Sequence, residues 1–468
     1  MSTTGAETGT EPPELVRVDH EREFRGVWIA TVFNIDFPPQ PGLTTDAQQQ
    51  TLLGLLDEVR DIGLNAIVFQ VRGESDALYA SDLEPWSRVL TGTQGGSPGY
   101  DPLEFAIEQA HARGLEVHAW INPYRGSVNA SLPVAPNHVT EVLSNDAIPY
   151  GDLVWMDPGS EVVREHVISV ALDIVERYPV DGLQMDDYFY PYRTSGPFDD
   201  GATYQAYVDS GGGLALDDWR RDNVNVLVES LHDELLDVRP DLRFGIAPFG
   251  IYRPGVPPGI SGLDQYDDLF ADPVLWIQEG WVDYLAPQLY WPTTQQAQAY
   301  EVLLEWWSSL PDGGRHIFAG NAAYRIGSEP AWTAEELVEQ VQISRDMGFP
   351  SQGNIFYNAG ALMDDLGGVV EQLQGLYARP ALTPPLPRTA SEGLDPPVVV
   401  ATPEGALIEH EELERLRAWV LYRARGDGFV IEDVIPPTES VISVSDGRWA
   451  ISAVDRYGTE SLGVVVEM

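Results

Sequence analysis

The chain has 468 residues, 43% of them hydrophobic, with 13 Trp and 20 Tyr, enough to bury two cores rather than one. Its 73 acidic residues stand against 27 basic ones, all of them Arg, and the net charge of −46 disfavours nucleic acid and anionic lipid as partners. Cys is absent, which excludes thiol catalysis, disulfides and thiolate metal sites, and no apolar run reaches the roughly 18 residues that a membrane-spanning helix needs.

Residues 1–22 are polar and read as a flexible lead, with no apolar stretch of the signal-peptide kind. From there to about residue 378, short apolar runs alternate with amphipathic helical patterns. The spacing predicts strands at 24–31, 66–72, 116–123, 182–188, 243–250, 284–291, 316–324 and 353–358. Helical patterns fall between them at 46–61, 102–113, 160–177, 217–238, 334–347 and 363–376. Such β/α units over residues 23–378 predict an α/β fold, a TIM-like (β/α)8 barrel. A doubly wound open sheet is the competing architecture, but no glycine-rich phosphate turn follows the first strand. The loops 73–100, 124–158 and 193–213 follow predicted strands and are long, which is where barrels build their sites.

Prolines punctuate residues 379–396, which read as a stiff linker. Beyond it, short alternating segments at 397–401, 417–424, 429–434, 440–443 and 449–455 predict a small all-β sandwich over residues 397–468. The charge is spread along the whole chain and reads as a solvated acidic shell of the kind used in salt adaptation.

The stretch Asp181-Gly-Leu-Gln-Met-Asp186-Asp187-Tyr188-Phe-Tyr190 carries the clearest chemical signal. Side chains alternate along a strand, so Leu183 and Met185 are expected to face the helices, and Gln184, Asp186 and Tyr188 the barrel axis. Asp186 is the first catalytic candidate. Asp187, Asp76 and Asp36 follow as candidates for the second carboxylate, one of which must hold a proton near neutrality through burial or a nearby like charge. Other strand ends contribute Gln70, Arg72, Asn122, Tyr124, Gln288, Tyr290, Trp291 and Asn321. With Tyr188 these are the expected sugar-binding groups, since rings stack on the C–H faces of a sugar while amides and charges bond its hydroxyls. His118 lies inside a strand and reads as a core residue. There is no HExxH pattern or clustered ligand set, no GxSxG elbow and no Walker sequence, so neither a metal nor another cofactor is expected.

Several segments together resemble the glycosyl-hydrolase-like 10 family. They are Phe24-Arg-Gly-Val-Trp-Ile-Ala-Thr-Val-Phe-Asn-Ile-Asp-Phe-Pro38, Asn65-Ala-Ile-Val-Phe-Gln-Val-Arg72, Ser75-Asp-Ala-Leu-Tyr79, His118-Ala-Trp-Ile-Asn-Pro-Tyr-Arg125, the stretch from Asp181 to Pro191, Ala247-Pro-Phe-Gly-Ile-Tyr252, and Trp281-Val-Asp-Tyr-Leu-Ala-Pro-Gln-Leu-Tyr-Trp-Pro292. The resemblance implies a TIM-like barrel acting on glycan, with peptide-stripped peptidoglycan strands as substrate and an envelope or extracellular setting. A more distant likeness to chitinase-type enzymes breaks at an informative place. Their DGxDxDxE strand ends in a catalytic acid, and Tyr188 occupies that position here, so substrate-assisted cleavage does not carry over. Trp419-Val-Leu-Tyr422 and the segment from Ile451 to Ser461 resemble a fibronectin type III module. A non-catalytic glycan-binding barrel and a hydrolase of neutral alpha-linked glucan remain alternatives.

Overall fold

The computed structural model describes residues 13–193, 196–311, 313–387, 392–403 and 405–468. Two compact units emerge: Arg22–Ala378 with Leu382–Thr389, and Met1–Glu21 with Arg379–Ala381 and Ala390–Met468.

The larger unit is a closed barrel of parallel strands: β1 (Phe24–Ile29), β2 (Ala66–Arg72), β3 (Glu116–Ile121), β4 (Gly182–Met185), β5 (Arg243–Ile246), β6 (Tyr284–Leu285), β7 (His316–Asn321) and β8 (Ser351–Phe356). β8 closes on β1, with Asn354 opposite Arg25. Each strand matches a predicted one in position. β5 and β6 stop early, just before Pro248 and Pro287, because proline has no N–H to donate to the ladder.

The strands are buried on both faces, which is why they read as near-continuous apolar runs. Ile67, Phe69 and Val71 pack outward in the same core as Leu52, Leu55, Leu56 and Val59 of the helix Thr45–Ile62. That helix starts where the Thr44 side chain accepts from the Ala47 N–H and ends at Gly63, whose φ of 92° suits a left-handed cap.

The barrel interior is a separate, mostly aromatic plug. Phe24 stacks on Phe318 at 4.4 Å, and the Tyr284 ring lies 4.9 Å from Phe318. A Cβ at position 245 would sit 2.1 Å from the Tyr284 ring, so only glycine admits that ring. A polar layer lies above it. Gln184 donates to the Tyr284 hydroxyl at 3.1 Å and accepts from the Trp28 indole at 2.6 Å. This satisfies a buried amide and gives the next inward residue of β4, Asp186, a rigid floor.

The predicted helix 363–376 is two shorter pieces, Ala359–Met363 and Val369–Leu376. Gly367 and Gly368, at φ 62° and 75°, interrupt it. The long loop after β3 holds its own small sheet of Arg125–Ser127, Leu153–Met156 and Ala147–Tyr150. Part of the expected linker is also structured. Leu382 and Leu386 are buried, the Thr383 hydroxyl donates to Glu116, and Arg243 donates to the Pro384 carbonyl, all within the barrel unit.

The smaller unit is a sandwich. One sheet holds β9 (Val398–Thr402), β10 (Gly405–Glu409) and β13 (Val441–Ile442). The other holds β12 (Gly428–Ile435), β11 (Leu416–Arg425), β14 (Arg448–Asp455) and β15 (Gly463–Glu467), in that order. Ile408 and Ile442 from one sheet share a core with Trp419, Ile451 and Val466 from the other. The predicted segments missed β10 and β15; Val464-Val-Val466 offers no apolar–polar alternation.

Of the expected flexible lead, residues 1–12 lie outside the described residues, and the segment from residue 13 is structured. Leu15–Val16 pairs antiparallel with Gly463 and Val464 and covers an edge of the second sheet. His20 anchors the same segment: its Nε2 lies 3.2 Å from Glu460, which also accepts from Ser452 at 2.6 Å and from Tyr422. No helix among the described residues is long and apolar enough to cross a membrane.

Candidate active site

β4 delivers its side chains as alternation requires. Leu183 and Met185 pack in the outer core, while Gln184 and Asp186 point inward. The Asp186 carboxyl is nearly buried and held by three donors. The Trp120 indole N–H reaches Oδ2 at 3.2 Å, the Asn122 side-chain amide also donates to Oδ2, and the Tyr188 backbone N–H reaches Oδ1 at 3.2 Å. Burial raises its pKa, and the charge of Arg125 together with these donors opposes the rise.

Asp187 follows where the strand ends, so it remains beside Asp186 despite its opposite phase. It is buried, and its Oδ2 accepts from the Tyr192 hydroxyl. Burial first, and the charge of Asp186 second, push its pKa up to about 7, against the pull of Tyr192 and Gln288. Both carboxyls are thus buried neighbours shifted upward, Asp187 in part by the charge of Asp186.

Asn122 fixes the geometry of Asp186. Its Oδ1 accepts from Gln70 Nε2 at 2.6 Å and from Arg125 Nη2 at 2.7 Å. Gln70 in turn accepts the Thr31 and Val32 backbone N–H groups at 2.8 and 2.9 Å. Gln70 and Asn122, expected to bind sugar, are therefore fully buried braces tying the ends of β1, β2 and β3 to Asp186.

Three more residues expected to contact sugar are buried with protein partners or in the outer core. Arg72 is fully buried in a two-point pair with Glu84 at 2.8 and 2.6 Å, and its remaining arm donates to the carbonyls of Asn122 and Pro123. A register shift between Gln70 and Arg72 sets Arg72 opposite Ile121, which faces the outer core. Asn321 is also buried and outward, donating to Tyr300 and Gln340 at 2.9 Å each. Tyr124 lies wholly in the outer core, because the chain leaves β3 after Ile121.

Of the other carboxylates, Asp36 is a brace between the ends of β1 and β8. It accepts from Ala30 N–H at 2.7 Å, and from Asn358 and Gly360 N–H at 2.8 Å each. Burial lifts its pKa to about 6. Asp76 is buried in the loop after β2, where it accepts from Gln94 at 3.0 Å and its charge helps raise the pKa of Glu74.

Tyr188, Gln288, Tyr290 and Trp291 are half-buried at the mouth. Tyr290 stacks against Tyr357 at 6.0 Å, and Tyr324 meets Tyr357 edge-on at 5.7 Å. Arg125 sits 5.0 Å over the Tyr188 ring. Sequence reasoning did not single out Trp120 as a contact of Asp186, nor Arg125, Tyr192 or Tyr324. Trp120 shares the inward phase of Asn122 and was within its reach. Arg125 and Tyr192 arrive from loops whose paths carry no periodic signal. No group of three or more His, Cys, Asp or Glu among the described residues is placed to hold a metal.

Carboxyls at the β4 mouth, braced from β1, β2 and β3, occupy the stretch that the glycosyl hydrolase-like 10 family model matches, residues 23–335. The chain belongs to that family. It is similar to the glycosyl hydrolase YngK of Bacillus subtilis, with 37% identity covering 88% of this chain and 85% of that protein. It is also similar to the glycosyl hydrolase DigH of Escherichia coli K12, with 35% identity covering 72% of this chain and 82% of that protein. Among solved structures, the PgaB (BpsB) glycoside hydrolase domain from Bordetella bronchiseptica superposes with a TM-score of 0.50 at 14% identity, over 76% of this chain and 98% of that one. That likeness is one of fold.

Proposed function

We propose that this protein is a glycoside hydrolase acting on a polysaccharide, with Asp187 as the acid and Asp186 as the nucleophile or base. The supporting observation is the pair itself: Asp187 is pushed up to about 7 beside Asp186, whose own upward shift by burial is opposed by the charge of Arg125 and by three donors. In the reaction, Asp187 gives its proton to the leaving glycosidic oxygen as the C–O bond breaks. Asp186 either takes the anomeric carbon, to be displaced later by water, or removes a proton from the attacking water. The half-buried rings at the mouth match the C–H faces of a pyranose.

Family resemblance favours peptide-stripped peptidoglycan strands as the polymer, met in the envelope or outside the cell. The net charge of −46 favours instead an uncharged glucan, because like charges repel. The smaller unit, with β9, β10 and β13 facing β12, β11, β14 and β15, reads as a fibronectin type III-like module. Digestion of both polymers by the purified protein, with products read by mass spectrometry, tests the reading. Short glycans from one polymer name the substrate class, and intact polymer in both digests contradicts hydrolysis of either.

A further inference from the structure

The loop after β1 displays an aromatic ring at a backbone cost. Phe33 has φ 58° and ψ 15°, and Asn34 has φ 53°. A bulky residue is rarely found in this left-handed region, and persists there only when its surroundings enforce it. Here they do. Gln70 fixes the Val32 N–H, Asn34 donates to the Pro38 and Val89 carbonyls at 2.8 and 2.9 Å, and Asp36 ties the loop back to Ala30, Asn358 and Gly360. The ring held this way is 68% exposed.

Its position is at the mouth. Gln70, which binds the N–H immediately before Phe33, also donates to Asn122, and Asn122 donates to Asp186. On the other side, Asn358 donates to Asp36 of the same loop, and its neighbour Tyr357 stacks with Tyr290 at the mouth. Tyr324, 46% exposed, extends the aromatic surface beyond Tyr357.

We propose that Phe33 is a stacking platform for a pyranose ring of the glycan, a binding subsite flanking the Asp186–Asp187 pair. The proposal rests on the glycan-hydrolase reading. A rigid, exposed ring beside a polar mouth offers what the C–H face of a sugar binds, and a braced loop spares the entropy of ordering it on binding.

The test measures retention of peptide-stripped peptidoglycan strands by the full chain carrying Asp186→Asn, alone and combined with Phe33→Ala, Phe33→Gly or Phe33→Trp. The alanine and glycine variants should weaken binding roughly 2- to 10-fold, and the tryptophan variant should retain it. Phe33→Gly should melt no lower than its parent, because glycine takes this φ without strain. Equal binding by the parent and Phe33→Ala overturns the subsite alone. So does weakened binding accompanied by lower melting in both the alanine and glycine variants, which marks a structural role. A parent that retains neither these strands nor an uncharged alpha-linked glucan run beside them overturns both the subsite and the glycan assignment beneath it.

Discussion

Asn122 and Asp186 are joined side chain to side chain between the ends of the neighbouring strands β3 and β4, and the other end of the Asn122 amide is held by both Gln70 and Arg125. The carboxylate is thus oriented by an amide that cannot turn without breaking bonds to two further residues. Asn122→Ala should lower kcat by roughly 10²-fold, the scale of a small misplacement of a reacting group, with a much smaller change in KM. Steady-state kinetics on the polymer identified as substrate check this. A raised KM with unchanged kcat would make Asn122 a sugar ligand instead.

Asp187 sets the pH response. As the acid it must be protonated, so activity should fall as pH rises through about 7. Tyr192 donates to its carboxylate and so favours the charged form. Tyr192→Phe should therefore move the alkaline limb to higher pH. Stability follows the same sign. Because the folded pKa is raised above the ordinary 3.8, the folded state holds the proton more tightly, and this stabilisation is present at low pH and lost as pH climbs from about 4 to about 7. Asp187→Asn, which never ionises, should gain stability relative to wild type over that window. Chemical denaturation of both proteins at pH 5 and pH 8 measures the difference.

Arg72 and Glu84 form a fully buried pair, and without Arg72 the carboxylate keeps, among the described residues, only His166 as a charged partner, at 2.9 Å. Arg72→Met should cost about 3–5 kcal/mol of stability, as broken buried pairs do, visible as a lowered urea midpoint. A stable variant with weakened glycan binding would restore Arg72 to the sugar site.

The clasp on the smaller unit titrates on the acid side. Hydrogen bonds from His20, Ser452 and Tyr422, with the His20 charge, hold Glu460 below its ordinary 4.5 in spite of burial. Its contribution is present above 4.5 and lost as pH falls through the lower folded value. Hydrogen-exchange protection at Val465, whose N–H donates to Glu14, should fall on acidification, and Glu460→Gln should exchange faster than wild type at pH 7. Equal protection in the two proteins at pH 7 would show that Glu460 does not hold the segment.

Much of this architecture was legible in the chain. The strand positions came from apolar runs, and the inward phase of Asp186 from alternation along β4. The same rule, carried to β7, would have turned Asn321 outward, since Ile317 and Ala319 share its phase. Other residues resisted for physical reasons. The shift that reverses Arg72 has no sequence signature, and its partner Glu84 lies in an irregular loop. Gln70 has the right phase but spends its hydrogen bonds on Thr31, Val32 and Asn122, which only the folded loop after β1 reveals. Leu15–Val16 is too short to announce a strand whose partner lies at the other end of the chain.

The central claim is that the β4 carboxyls perform glycan hydrolysis. Its most direct test is product release from peptide-stripped peptidoglycan and from an uncharged alpha-linked glucan by wild type and Asp186→Asn side by side, with both melting curves recorded. The account predicts short glycans from wild type alone, at matched melting temperatures. Equal release by Asp186→Asn, or none by wild type, would contradict it.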